Sequence, residues 1–196
     1  MEAIKEIVLL MPDSLIFGSF VLGTTTLSYS HTIFFFSLLE SLFFLGGLQS
    51  IFSFINGKEI TQCGSKFYTL IFGDLFNSPS ANNISQAVYL ISVAASYFIN
   101  IYYNLSDELV VLDPSYTNTM TIMLLAILTI IYASLRLFFC DSMQSVFLGL
   151  FFGVILGTFL HYQNIQIFGR DSINFLGIPL LRNKSASGQP IYLCTQ

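Results

Sequence analysis

Between Met120 and Tyr162 two apolar runs follow each other almost without a break, separated by one polar knot of Arg136, Cys140, Asp141 and Ser142. A membrane helix needs about 20 mostly apolar residues, so the pattern predicts two spans, 119–139 and 143–162, joined by a tight turn. The same reading gives three more. Residues 14–30 form a short first span, opened by Pro12-Asp13, diluted by Gly18, Gly23 and Thr24–Thr26, and closed by a turn near His31. A re-entrant or interfacial placement of that segment is the alternative. Residues 32–55 form the second span and 84–103 the third. Between them, 56–83 carries Lys58, Glu59, Cys63, Lys66 and Asp74 around an apolar middle, Phe67–Phe76, that reads as a short interfacial helix. The stretch 104–118 reads as an acidic loop with Asp107, Glu108 and the turn signal Asp113-Pro114. The expected fold is therefore all-α: a polytopic transmembrane helix bundle of about five spans over 1–162, followed by an extramembrane C-terminal tail over 163–196. The tail mixes Arg170, Asp171, Arg182 and Lys184 with the apolar stretches Ile173–Leu181 and Ile191–Leu193. That mixture suits a segment lying on a surface or a partner protein.

Composition strengthens the membrane reading. Of the 196 residues 54% are hydrophobic and 9% charged, against roughly 25% charged in a soluble domain. Too few charges remain to coat a water-facing surface of this size. A formal charge of −4 leaves no basic footprint, so no direct nucleic-acid contact is expected. Glu2 and Glu6 spoil a basic leader region, so no secretory signal is read and the N-terminus is expected to stay. Cys63, Cys140 and Cys194 are odd in number and far apart, with no CxxC pair. Packed or free thiols are expected, neither a zinc knuckle nor a redox dithiol is supported, and which two would pair in a disulfide stays open. No cofactor is expected. Five spans put Lys5, Lys58, Lys66 and Arg136 on one side and Arg170, Arg182 and Lys184 on the other. This small excess assigns the N-terminal side to the cytoplasm.

Few residues suggest chemistry. Gly149, Gly153 and Gly157 recur every four residues on one face of the fifth span. In lipid, helices associate through close backbone approach, which small residues permit, so a helix–helix seam is expected there, within the chain or between copies in a homo-oligomer. Glu40 is the one carboxylate well inside a span, and at that depth it must be paired, hydrogen-bonded or protonated. An ion or proton path would require a series of polar groups, and none is obvious. One buried hydrogen bond, for instance to a Ser, Thr or Tyr hydroxyl of a neighbouring span, is the expectation. His31 and His161 fall at span ends and are expected at the interface. Of the sequons at Asn83, Asn104 and Asn183, the first two hug span ends, and no glycan is expected on any of them.

Ser78-Pro79-Ser80-Ala81-Asn82 opens the third span, Ser134-Leu135-Arg136 closes the fourth, and Asp141-Ser142-x2-Ser145 opens the fifth. This layout, over residues 60–160, resembles the type-2 phosphatidic acid phosphatase family, in which a P-S-G-H motif opens one span and an Arg, His and Asp motif bridges two later ones. The resemblance implies that both motifs share one face of the membrane. It does not extend to the catalytic residues. Asn82 stands at the place of the acid histidine, Ser142 at that of the nucleophilic histidine and Val146 at that of the orienting aspartate. The Lys-x6-Arg-Pro element is absent, although Lys66 lies in its region. A phosphohistidine mechanism needs an imidazole nucleophile, so a lipid-phosphate phosphatase-like chain without catalysis is what this resemblance implies. Arg136 and Asp141 are left as turn residues or an anion contact.

The tail, from Phe168-Gly169-Arg170-Asp171 through Pro179-Leu180-Leu181-Arg182-Asn183-Lys184 to Pro190-Ile191-Tyr192-Leu193-Cys194, together with Cys140-Asp141-Ser142 and Asn77-Ser78-Pro79-Ser80, resembles multi-span proteins of large nucleocytoplasmic DNA viruses. That resemblance implies a minor capsid protein in the host-derived internal membrane of a virion, touching the shell, with no chemistry of its own. The expected function is accordingly a structural multi-pass membrane protein, not an enzyme. Its partners would be membrane lipids and other capsid or membrane proteins, gripped through the loops and through Arg170, Asp171, Arg182 and Lys184. A small transporter or channel is a further alternative.

Overall fold

The computed structural model describes residues 2–56, 83–113, 115–178, 181–184 and 190–192. Phe67–Phe76, Lys58, Lys66, Asn82, Cys63 and Cys194 lie outside the described residues. Six α-helices are described: α1 (Glu2–Thr26), α2 (Tyr29–Asn56), α3 (Gln86–Asn104), α4 (Ser106–Leu112), α5 (Asn118–Phe139) and α6 (Met143–Phe168). A 3-10 turn, Arg170–Ile173, follows α6, and the tail carries an antiparallel ribbon of β1 (Leu181–Lys184) and β2 (Pro190–Tyr192). In the ribbon Leu181 lies opposite Tyr192 and Lys184 opposite Pro190, with an irregularity after Leu181. Four helices, α1, α2, α5 and α6, are each long and apolar enough to cross a membrane, and α3 becomes so only together with α4, from which it is bent by 63°. The chain is an all-α, integral membrane protein with four to five candidate spans among the described residues.

Several boundaries differ from the expectation, and at two of them a residue that reads as a terminus is accommodated by a partner on another helix. α1 begins at Glu2, not near residue 14, and Pro12 lies within it. Proline has no N–H and leaves the carbonyl four residues back without its donor. Here that carbonyl, Val8 O, accepts the buried Tyr132 hydroxyl of α5 at 3.0 Å. The threonines do not break the helix either, since Thr24, Thr25 and Thr26 donate to the carbonyls of Phe20, Val21 and Leu22 one turn back. The turn falls at Leu27-Ser28, with Leu27 at φ 49, rather than at His31. At the other end α6 continues to Phe168, because Gln163 and Asn164 find partners on α2. The acidic stretch is not all loop: Asp107 and Glu108 sit in the first turn of α4, where carboxylates favour a helix N-terminus.

α3 occupies the centre. Tyr89, Leu90, Val93 and Tyr97 on it are buried against Leu38, Leu42 and Leu45 of α2, Ile16 of α1 and Leu160 of α6. Rings such as Phe17, Phe36, Phe138 and Phe147 point outward, as a lipid-facing coat should. Successive spans alternate in direction, which defines two ends. The hairpin face gathers the start of α1, the end of α2, the start of α3 and the α5–α6 turn. The tail face gathers the α1–α2 turn, the end of α3 with α4, and the end of α6 with the 3-10 turn.

Candidate functional site: a polar core between two faces

The three glycines of α6 all face α3. A Cβ added at Gly149 would lie 2.9 Å from Ser85 O, and one at Gly153 would lie 2.7 Å from Tyr89 O and 2.6 Å from Ser92 Cβ. One at Gly157 would collide with Val93 O. These are backbone obstacles that no side-chain rotation relieves. The glycine face is used inside the chain, as the surface that lets α6 lie against α3.

At the hairpin face, Arg136 and Asp141 form a buried ion pair. Arg136 Nε donates to Asp141 Oδ2 at 2.8 Å, and the two side chains are 1% and 0% exposed. Ser85, the N-cap of α3, donates its hydroxyl to the same Oδ2 at 2.6 Å while accepting the Val88 N–H. Its own N–H reaches Ser145 O at 2.9 Å. Asp141 thus ties the last turn of α5 to the first turn of α3, and the N-terminal ends of α3 and α6 favour its negative charge. Breaking such a pair is costly because it strands a buried charge. Arg136 is committed to Asp141 rather than presented to an external anion.

A polar ladder then runs along α3. Ser92, Ser96, Asn100, Asn104 and, on α4, Glu108 recur every four residues, so a polar series does exist in the spans. Ser96 donates to Val154 O and shares a 2.9 Å contact with Thr158. Asn100 donates to Ser96 O and to Thr158 Oγ1. Asn104 donates to Asn100 O and lies 2.7 Å from His161 Nε2. His161 is not interfacial: it is 0% exposed, edge-on to Tyr97, and its Nδ1 has no hydrogen-bond partner among the described residues. Beside it, Asn164 donates to Ser37 Oγ at 2.7 Å and to Tyr97 Oη at 2.8 Å. Glu40 is held by a hydrogen-bonding side chain of a neighbouring span, the Gln163 amide, whose Nε2 reaches its two oxygens at 3.2 and 3.3 Å.

The tail face closes with a clasp. Arg170 pairs with the buried Glu108 at 2.8 Å and donates to Asn104 O at 3.0 Å. Ser30 donates to Asp171 O, and Phe175 packs among His31, Phe34 and Phe98, with ring centroids 4.9, 5.7 and 5.3 Å away. Arg170 through its side chain, and Asp171 through its backbone carbonyl, anchor the root of the tail to the bundle. The backbones of Arg182 and Lys184 run in β1, and their side chains lie outside the described residues.

The phosphatase-like layout falls at the hairpin face. Ser85 and Asp141 do bring the start of the third span against the α5–α6 turn. Ser142 is the N-cap of α6, and Val146 is 3% exposed in the apolar core. His31 and His161 lie toward the tail face, and His161 sits 20 residues beyond Asp141, about 30 Å at 1.5 Å per helical residue. No group of three His, Cys, Asp or Glu that could hold a metal occurs among the described residues. Of the residues missed from the sequence, Ser85, Asn104, His161 and Asn164, Asn104 alone carries a detectable signal, the four-residue spacing of polar side chains along α3. The chain matches no protein-family model, no curated protein and no solved structure.

Proposed function

We propose that this chain is a structural multi-pass component of a membrane assembly, and in its most concrete form a minor capsid protein of a virion internal membrane that links membrane to shell. The observation that carries this reading is the commitment of the polar core to the bundle itself. Arg136 to Asp141, Arg170 to Glu108, Glu40 to Gln163 and Asn164 to Tyr97 are contacts that stiffen an anchor. The clasp at Arg170 fixes the point where the tail leaves the membrane, and the ribbon beyond it is the element offered to a partner. A two-stranded ribbon is marginal alone in water, and its unpaired edges suit strand addition by another chain. Cross-linking mass spectrometry on the purified membrane-bound particle tests this. Inter-protein cross-links from 179–196 are expected; a tail that yields none and can be trimmed by protease without loss of assembly defeats the reading.

One observation favours a second reading. The Ser85–Asp141 hydrogen bond joins the regions that a phosphatase-like layout would join, which supports an ancestral lipid-phosphate fold without catalysis. Saturable binding of phosphatidic acid vesicles without phosphate release, lost in Arg136→Ala and kept in Glu40→Ala, would make that reading the better one.

A further inference from the structure

Ser115, Tyr116 and Thr117 of the α4–α5 turn, with the first half of α5, enclose a concavity of about 860 Å³ on the outer surface of the bundle. That volume lies within the range of ligand sites, roughly 300–1,000 Å³. Its floor is Met120, Met123, Leu124 and Ile127, all exposed on α5. They cover about 10 Å of helix at 1.5 Å per residue, so the floor runs from the tail face into the hydrocarbon. The helix stands off from its neighbours here: its buried residues, Tyr132, Ala133 and Arg136, all lie in the hairpin half. An apolar groove that opens sideways into a bilayer suits a lipid chain.

The rim says which lipid. Ser115, Thr117 and Thr119 bring hydroxyls to it and Tyr116 brings a ring. Asp113 is tied to this rim. The Ser115 N–H at 2.9 Å and the Ser115 hydroxyl at 2.6 Å both donate to its Oδ1, so Oδ2 keeps its lone pairs for another donor. The same hydroxyl and N–H hold this exposed carboxyl below the usual carboxylate range, and it stays anionic at the membrane surface. No Lys or Arg occurs between Lys66 and Arg136, and Arg170 at the tail face is paired with Glu108. A headgroup of net negative charge would therefore meet repulsion. A primary ammonium fits: it carries three N–H donors for Oδ2 and the hydroxyls, and a tyrosine face attracts a cation. The adjoining phosphate falls toward the start of α5, where the N-cap Thr117 makes no side-chain cap bond and the helix dipole favours an anion. A quaternary ammonium has the charge but no N–H to donate.

We propose that this groove binds a phospholipid with a primary-ammonium headgroup, phosphatidylethanolamine, its ammonium at Asp113 and Tyr116 and one acyl chain along Met120–Ile127. The site lies at the opposite face from Arg136, and the inference rests on neither functional reading above.

The full chain is purified in detergent with phosphatidylethanolamine carrying a diazirine midway along one acyl chain. Irradiation should label the peptide covering 115–131. Unlabelled phosphatidylethanolamine should compete about threefold to thirtyfold better than phosphatidylcholine or phosphatidylglycerol, the range that one exposed ion pair and one cation–π contact supply. Asp113→Asn keeps an oxygen for Ser115 and should abolish that preference while leaving the circular dichroism unchanged. Equal competition by the three lipids, a preference that survives Asp113→Asn, or a photo-cross-linking side chain at Met123 that captures a second copy of the chain would each overturn the proposal.

Discussion

Gly153→Ala is the sharpest probe of the bundle. The added methyl would lie 2.7 Å from Tyr89 O and 2.6 Å from Ser92 Cβ. The first of these is about 0.7 Å inside the shortest ordinary contact, and one obstacle is a helix carbonyl that cannot rotate away. α6 must therefore retreat from α3 along its length, loosening the Ser96–Thr158 and Asn104–His161 contacts as it goes. Overpacking of a tight core costs about 1–3 kcal/mol. Alanine also gains up to about 1 kcal/mol of helix propensity over glycine, so the measurement needs a control. Gly18→Ala on α1 supplies it, since nothing lies within 4 Å of its added Cβ. The difference between the two variants isolates the steric term. At about 2–4 °C per kcal/mol for a chain of this size, Gly153→Ala should melt about 2–12 °C below Gly18→Ala in detergent followed by near-ultraviolet circular dichroism. Equal melting of the two variants would refute the claim that the glycine face is closed against α3 within one chain.

Asp141→Ala strands the buried Arg136 and should destabilise by about 3–5 kcal/mol, while the double variant Arg136→Leu/Asp141→Asn should recover most of that in the same melt. Tyr132→Phe removes the donor to Val8 O and should cost about 1–3 kcal/mol; adding Pro12→Ala restores a backbone N–H one turn away, so a double-mutant cycle should show the two changes compensating. Asp113, between α4 and α5, is held below the usual carboxylate range by the Ser115 hydroxyl and then by the Ser115 N–H. A carboxylate with a depressed pKa stabilises its turn above the ordinary value and loses that contribution as pH falls through the depressed one, so Ser115→Ala should move the Asp113 carboxyl titration seen by carbon NMR upward, and no movement would show that the hydroxyl contributes nothing.

The spans were legible because lipid imposes one length and one polarity on any helix that crosses it; α5 begins within one residue of its expected start at 119, and both it and the start of α6 fall where the apolar runs place them. The errors lie where a local signal was answered from a distant helix. Pro12 reads as a start until Tyr132 supplies its missing hydrogen bond, and Gln163-Asn164 read as an exit until Glu40 and Ser37 meet them. The site was legible in part. Arg136, Asp141 and the glycines stand out by type and spacing, but nothing local to them names Ser85 or α3 as what they meet. Arg170 reads as an exposed cation, and only the bend between α3 and α4 places Glu108 under it.

The ladder on α3 sets a timetable for biosynthesis. α3 lacks the apolarity to enter lipid unaided without α4, and its polar edge is met by residues made much later, with Asn104 and His161 separated by 57 positions. At about 5–20 residues per second a ribosome needs about 3–11 s to deliver that partner. For those seconds α3 must wait in the translocon or beside a chaperone, and a nascent chain stalled before α6 should be handed to quality control, not released into the bilayer.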